Sequence, residues 1–218
     1  MDVKIASYLK LESLFNERGY LLYMVGGTVR DYLLNKPLTD MDLVTDATPS
    51  EMKEFINGDY TFEKYGSAKV KFDDIKFDIT TLRKEDDYID SRHPSKVTFT
   101  KDIKKDVKRR DITINALYIN KDLKVIDLVN GVSDLNNKII RFIGDPTRRI
   151  EEDPLRIIRI YRFQIETGFE IEEATLKAIN DNLDKVKLLK KDKINQEIKK
   201  CSSPEKLIEI LKSVIDYK

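Results

Sequence analysis

Residues 21–46 read LLYMVGGTVRDYLLNKPLTDMDLVTD, and the interpretation of this stretch decides the fold. The apolar run Leu21–Val25 stops at Gly26-Gly27, the pattern of a buried strand ending in a tight turn. In TVRDYLLN, Val29, Leu33 and Leu34 fall at helical spacing, so a helix starts near Gly27-Thr28. Its unpaired N–H groups and positive dipole end suit a phosphate, with Gly26 and Gly27 admitting close backbone approach and Arg30 available for a second oxygen. A plain strand-to-helix connection fits the same residues. Asp40 and Asp42 follow, two apart, so in a strand they share one face while Met41 and Leu43 take the other. Two ionised carboxylates ~4 Å apart repel by roughly 4 kcal/mol at an effective dielectric near 20, a cost removed by a shared proton or a cation. With phosphates nearby, Mg²⁺ is the expected cation, since it takes carboxylate and phosphate oxygens together. A solvated Asp-x-Asp in a loop is the alternative.

The chain of 218 residues, 36% charged and 40% hydrophobic, has the composition of a folded globular protein with an ample core. Lys and Arg number 40 against 39 Asp and Glu, for a net charge of +1, so any affinity for nucleic acid must come from local segregation of charge. Cys201 is the only cysteine, which excludes an intrachain disulfide. The N-terminal residues lack a basic segment followed by an apolar core, and no apolar run approaches the ~20 residues of a membrane span. A cytoplasmic location without membrane contact is expected.

Residues 3–18 carry apolar positions at helical spacing before Gly19, and Thr48-Pro49 reads as the cap and first residue of another helix. AKVKF and IKFDITTL, joined by Asp73-Asp74, read as a hairpin in which Phe77, Ile79 and Thr81 face away from Asp78 and Thr80. Residues 83–98 mix both charges without periodicity and read as a mobile loop; His93, the only histidine, lies there and reads as a surface residue. Lys101, Lys104, Lys105 and Lys108 share one helical face and run into Arg109-Arg110-Asp111. ALYI and KVIDLV form a further hairpin, and beyond Asp145-Pro146 the pattern turns helical. There Asp153, Arg156, Arg159 and Arg162 recur every three residues, and residues three apart on a helix are neighbours. Asp153 as a helix cap, with the arginines solvated or ion-paired, is the structural alternative.

GGTVRD followed by DMD resembles the nucleotidyltransferase superfamily that includes DNA polymerase β, in the branch of class II bacterial tRNA nucleotidyltransferases (CCA-adding enzymes) and poly(A) polymerases. The resemblance implies an α+β fold: a polymerase-beta-like head over residues 1–140, with a mixed β-sheet and helices, then an all-helical neck over 141–218. It implies two Mg²⁺ ions held by Asp40 and Asp42, and aligns Asp78 with a third active-site carboxylate, although a solvent-facing strand aspartate fits equally. DVKRRDITINAL is similar to the family's RRD motif, which places Arg110 on the triphosphate and gives Asp111 the ribose or a neighbouring arginine to orient. Residues 83–98 match a loop needed for the final A addition. EDPLR resembles the EDxxR motif, in which Asp153 and Arg156 stand in for a templating base and Arg159 and Arg162 support base and phosphates. A carboxylate acceptor beside a guanidinium donor matches the edges of C and A and mismatches G and U.

The implied activity is template-independent addition of C and A from CTP and ATP to the 3′ end of tRNA. An A-adding enzyme or poly(A) polymerase shares these motifs, and a catalytically silent RNA-binding module is the rival from another class. Two departures stand out: Lys193 occupies a position where the final neck motif carries arginine, and the body and tail regions that grip the tRNA elbow are not found before Lys218.

Overall fold

The structure, a computed structural model, describes residues 2–88 and 94–215, with side chains described except at 85–96 and 215. The chain divides into two compact units. The first comprises Met1–Asp86, Lys96–Arg110 and Ile114–Val132; the second comprises Asp87–Ser95, Asp111–Thr113 and Ser133–Lys218.

In the first unit α1 (Val3–Glu17), capped by the Asp2 carboxylate, leads into β1 (Leu22–Val25), α2 (Gly27–Leu33) and β2 (Asp42–Thr45). Then come α3 (Pro49–Lys53), β3 (Gly58–Asp59), β4 (Ser67–Phe72), β5 (Ile75–Thr81), β6 (Arg83–Tyr88) and β7 (Pro94–Phe99). The short α4 (Ile103–Asp106) precedes β8 (Tyr118–Ile119) and β9 (Val125–Ile126), and α5 (Gly131–Asn136) begins where this unit ends. Seven strands form one sheet in the order β3-β4-β5-β2-β1-β8-β9. It is mixed: β2 and β5 are parallel, and the other neighbours are antiparallel. Tyr8, Leu11 and Phe15 of α1 are fully buried with Leu22, Met24, Leu43, Phe77 and Ile79 of the sheet. The Tyr8 hydroxyl bridges the carbonyls of Leu22 and Ile119, so even its polar tip is satisfied in the core.

Local chemistry set several of these elements as expected. Thr48 and Glu51 form a reciprocal capping box with Pro49 in the first turn of α3. The β4–β5 hairpin turns on Asp73 and Asp74, both with positive φ, the two-residue geometry that matches strand twist. On β5, Phe77, Ile79 and Thr81 are buried while Lys76 and Asp78 are exposed.

Two expectations need correction. Residues 83–98 were expected to lack regular structure, but β6 and β7 pair with one another in a two-stranded ribbon. Alternation of apolar residues records burial of one face, and backbone pairing between neighbouring strands does not require it. His93 lies outside the described residues. The lysine-bearing helix is also shorter than its spacing suggested: α4 ends at Asp106 and tightens into a 3₁₀ turn over Val107–Arg109.

The second unit contains β10 (Ile139–Ile140), α6 (Pro146–Glu152), α7 (Leu155–Thr167), β11 (Glu170–Ile171), α8 (Glu173–Asp181), α9 (Lys191–Lys200) and α10 (Pro204–Ile215). From Ser133 onward it is mainly helical, its strands there being the two-residue parallel pair of β10 and β11, and it also takes in the ends of β6 and β7. Helix α7 is its centre: Leu155, Ile157, Ile158, Ile160, Tyr161 and Phe163 are buried, and it packs against α6, α9 and α10. Gly168, at φ 70°, ends it in the left-handed conformation that favours glycine.

Candidate active site

The first unit gathers the glycine turn and the carboxylates. Gly26 adopts φ 70° and ψ −141°, a conformation a side chain strains to reach. A Cβ there would lie 3.2 Å from Oδ2 of Asp42, so the missing side chain is what lets the carboxylate rest against the turn. Asp42 opens β2, half-buried, and Asp40 precedes the strand in an exposed position. Burial alternates through this stretch, with Met41 and Leu43 in the core. Across the parallel pair Asp42 faces Asp78, and Asp78 faces Lys69 of β4, whose ammonium lies 2.8 Å from its carboxylate. Burial first, then the charges of Asp78 and Asp40, push the Asp42 carboxyl up to about 6, against weaker opposing pulls from Arg110 and Lys69.

Thr28 joins these parts. Its hydroxyl donates to the carbonyl of Asp40 at 3.1 Å and accepts the backbone N–H of Asp42 at 2.8 Å, pinning the Asp40-Met41-Asp42 segment to the first turn of α2. Arg30, expected from the sequence to reach a second phosphate oxygen, is instead buried with its fork engaged by Asp31 at 2.9 Å and by Asn115 at 3.0 Å, so it braces this corner from within. Neither Thr28 nor Asn115 was singled out by sequence. Thr28 was legible only as a helix-start residue, and nothing in a linear motif signals Asn115.

Arg110 is organised by a residue the motif reading passed over. The fully buried Asp106 carboxylate accepts from Arg109 Nε at 2.8 Å, Arg110 Nε at 3.0 Å, the Tyr118 hydroxyl at 2.9 Å and the Arg83 backbone N–H at 3.2 Å. Burial raises its pKa, but Arg110 and then Arg109 outweigh that and hold it down at about 2. The spacing of Asp106, three and four residues before the two arginines, is the signal that could have found it. A depressed carboxyl contributes stability above its unfolded pKa near 4 and loses it as pH falls toward 2. Asp106→Ala removes the buried carboxylate that Arg109 and Arg110 share and should cost about 3–5 kcal/mol at neutral pH. Urea unfolding at pH 7 and pH 3 checks this: the deficit should shrink at the lower pH, and an equal deficit at both would contradict the assignment.

The second unit holds the arginine ladder. Asp153 ends α6 as its C-cap, and α7 starts at Leu155 with Pro154 before it, so the N-cap with Pro154 as first helical residue that the sequence offered is displaced by one position, although the Asp153 Oδ1 accepts the Leu155 backbone N–H at 3.1 Å. Arg156, 2% exposed, donates to Asp111 at 2.8 Å, to the Arg149 carbonyl at 2.7 Å and to Glu152 at 3.0 Å. Arg159 donates to Asp111 at 2.8 Å and lies 3.7 Å from Asp153; Arg162 pairs with Glu197 and Glu166. Asp111 thus does orient neighbouring arginines. Its carboxyl is held far below the usual range because Arg159 and Arg156 outweigh burial. Burial keeps the Asp153 carboxyl above its ordinary value against the pull of Arg159 and Arg156.

Among the described residues no group of three or more His, Cys, Asp or Glu side chains is gathered to hold a metal by itself. Mg²⁺ commonly takes only one or two protein carboxylates and completes its shell with water and substrate phosphates. Asp40 and Asp42 supply hard oxygen donors of that kind, with burial first and then the charges of Asp78 and Asp40 disfavouring an ionised Asp42.

A mixed sheet with helices that carries Asp40 and Asp42, separated by one residue, beside a Gly-Gly turn matches the nucleotidyltransferase head of the polymerase-beta-like class. The poly A polymerase head domain family matches residues 22–141, more than half of the chain, and the chain belongs to that family. A CCA-adding enzyme of Staphylococcus epidermidis is 40% identical over 184 residues, covering 84% of this chain and 46% of the relative. Among solved structures, the Bacillus stearothermophilus CCA-adding enzyme in complex with CTP superposes with a TM-score of 0.88 at 27% identity, over 99% of this chain and 53% of that one. The Thermotoga maritima CCA-adding enzyme complexed with tRNA-CCA gives 0.74 at 28% identity, over 98% of this chain and 52% of that one. The chain spans about half the length of the relatives it matches. Among the described residues no helix is long and apolar enough to cross a membrane.

Proposed function

We propose that the protein adds C and A nucleotides from CTP and ATP to the 3′ end of tRNA without a nucleic-acid template. The observation that carries this reading is Asp42, half-buried between the Gly26 backbone and Asp78, with Asp40 two residues before it. Relatives and structural neighbours named as CCA-adding enzymes, one with CTP and one with tRNA-CCA, support the substrate class.

In this reading Asp40 and Asp42 hold two Mg²⁺ ions. Bound there, the ions supply Lewis-acid stabilisation of the phosphoryl oxygens and of the ionised 3′-hydroxyl. The chain's own groups do the rest. Gly26 and Gly27 keep the turn bare so that phosphates approach the backbone, and Thr28 fixes Asp40 and Asp42 against it. Arg110, positioned by Asp106 and Tyr118, balances charge on the triphosphate, while Arg30 stiffens the turn from behind. The terminal 3′-oxygen bonds to the α-phosphorus as the bond to the β-phosphate oxygen breaks and pyrophosphate leaves with the electron pair. Asp78, the exposed cross-strand neighbour of Asp42, takes the hydroxyl proton and passes it to water. Asp153 and Arg156 read the base edge, with Arg159 and Arg162 in support. A cytoplasmic location follows from this substrate.

The test is incorporation on tRNA ending before CCA, offered one nucleotide at a time with Mg²⁺. CMP followed by AMP addition is expected. AMP addition alone would assign the protein as an A-adding enzyme or poly(A) polymerase, and binding without any incorporation would leave only an RNA-binding module.

A further inference from the structure

The first unit carries a cleft of about 450 Å³ on the side of Asp42 away from Gly26. Asp42 and Asp78 form one end, and Lys69, Phe62, Tyr65 and Arg83 line the rest. Phe62 is 55% exposed and Tyr65 39% exposed, although both are large enough to be worth burying. They do not hang on a loose loop. The Tyr65 and Ser67 N–H groups both bond the Phe62 carbonyl, the Thr81 N–H bonds the Gly66 carbonyl at 2.7 Å, and Arg83 donates to the Tyr65 carbonyl. Gly66, at φ 83°, closes the turn where a Cβ would stand 2.8 Å from the Phe99 ring. The Phe62 ring is therefore held in solvent next to the acidic pair, and beside it Tyr65 carries the Lys64 ammonium over its ring, 4.8 Å from the centroid.

In-line displacement at phosphorus decides which substrate part belongs there. The attacking oxygen and the leaving oxygen lie on opposite sides of the phosphorus. With the triphosphate and its leaving pyrophosphate at the Gly26 turn, the hydroxyl must arrive from the Asp78 side of Asp42, which is where the cleft opens. Resting on the proposed function, we infer that this cleft is the subsite for the 3′-terminal nucleoside of the acceptor RNA, its base stacked on Phe62 and Tyr65. Stacking suits this task because every base has a π-face, so successive C and A ends can occupy one platform. The exposed Lys69–Asp78 pair costs little to open, which lets Lys69 turn to the last phosphodiester.

The test pairs steady-state kinetics with equilibrium binding on the full chain. Phe62→Ala and the double variant with Tyr65→Ala should raise KM for tRNA ending before CCA by about tenfold or more, the range of a lost stacking contact, with KM for CTP and the melting temperature unchanged. Phe62→Trp should restore the wild-type value. In fluorescence anisotropy, a short acceptor-stem RNA with an abasic 3′-terminal residue should bind wild type about tenfold more weakly than the intact RNA, and the double variant should not distinguish the two. A rise in KM for CTP alone would overturn the inference by assigning the cleft to the incoming nucleotide; unchanged constants for both substrates would overturn it outright. If wild type adds nothing to any RNA, the proposed function fails, and the abasic comparison still decides the subsite.

Discussion

Asp42→Asn is expected to lose nucleotidyl transfer by roughly a thousandfold or more and, in metal-free buffer at pH 8, to be more stable than the wild type. The first effect follows from removing one of the two carboxylates proposed to hold the cations, where several kcal/mol of transition-state stabilisation is at stake at 1.36 kcal/mol per tenfold in rate. The second follows from the raised carboxyl. Burial, Asp78 and Asp40 lift Asp42 from 3.8 to about 6. A carboxyl raised in the folded state contributes stability that is fully present below its unfolded pKa near 4 and is lost as pH rises through about 6. Above that the ionised wild type is penalised, and the permanently neutral asparagine is not. After discounting for partial exposure, the difference at pH 8 is about 1–2 kcal/mol, and it should vanish below pH 4. Urea midpoints in EDTA at pH 4 and pH 8 measure it, and added Mg²⁺ should stabilise the wild type but not the variant. Equal midpoints at pH 8, or a variant that responds to Mg²⁺ as the wild type does, would remove Asp42 from the metal assignment.

That arrangement was only half visible in the sequence. GGTVRD and DMD lie within one short stretch, so turn chemistry and a two-residue period were enough to place Gly26, Asp40 and Asp42 near each other. The exposed face of Asp78 was legible from the alternation on β5 for the same reason. What periodicity cannot carry is register between strands distant in the chain: that Asp42 and Asp78 face each other depends on the parallel pairing of β2 with β5, reached only after the intervening β3 and β4. Thr28 and Asp106 were missed because a side chain that pins its neighbours has no pattern of its own. The arginine ladder shows the same division. Its three-residue period predicted a shared face of α7, whereas the partners that hold it, Asp111 and Glu197, come from 45 and 35 residues away.

Those partners determine how base selection can be tested. Arg156 is buried against Asp111, Glu152 and the Arg149 carbonyl, so truncating it would leave Asp111 to Arg159 and open a gap in a buried ion network, destabilising the unit before any question of specificity arose. Asp153 is the cleaner probe, since asparagine can keep its hydrogen bond to the Leu155 N–H and gives up only the looser 3.7 Å ion pair with Arg159. Asp153→Asn keeps that acceptor but presents an amide able to donate, so it should relax the preference for CTP over UTP by about 10- to 100-fold, the value of a matched base-edge contact. Incorporation of UMP against CMP on tRNA ending before CCA measures the ratio. Acidification should act in the same direction on the wild type. The Asp153 carboxyl is raised by burial, so it gains a proton at a higher pH than an ordinary aspartate, and the protonated acid offers an O–H to the carbonyl of U where the carboxylate repels it. Discrimination between CTP and UTP should therefore begin to fall at a pH above the usual carboxylate range, and Asp153→Asn, having nothing to titrate, should show no such decline. A selectivity ratio that is flat with pH in the wild type and unchanged in the variant would leave Asp153 as a helix cap and nothing more.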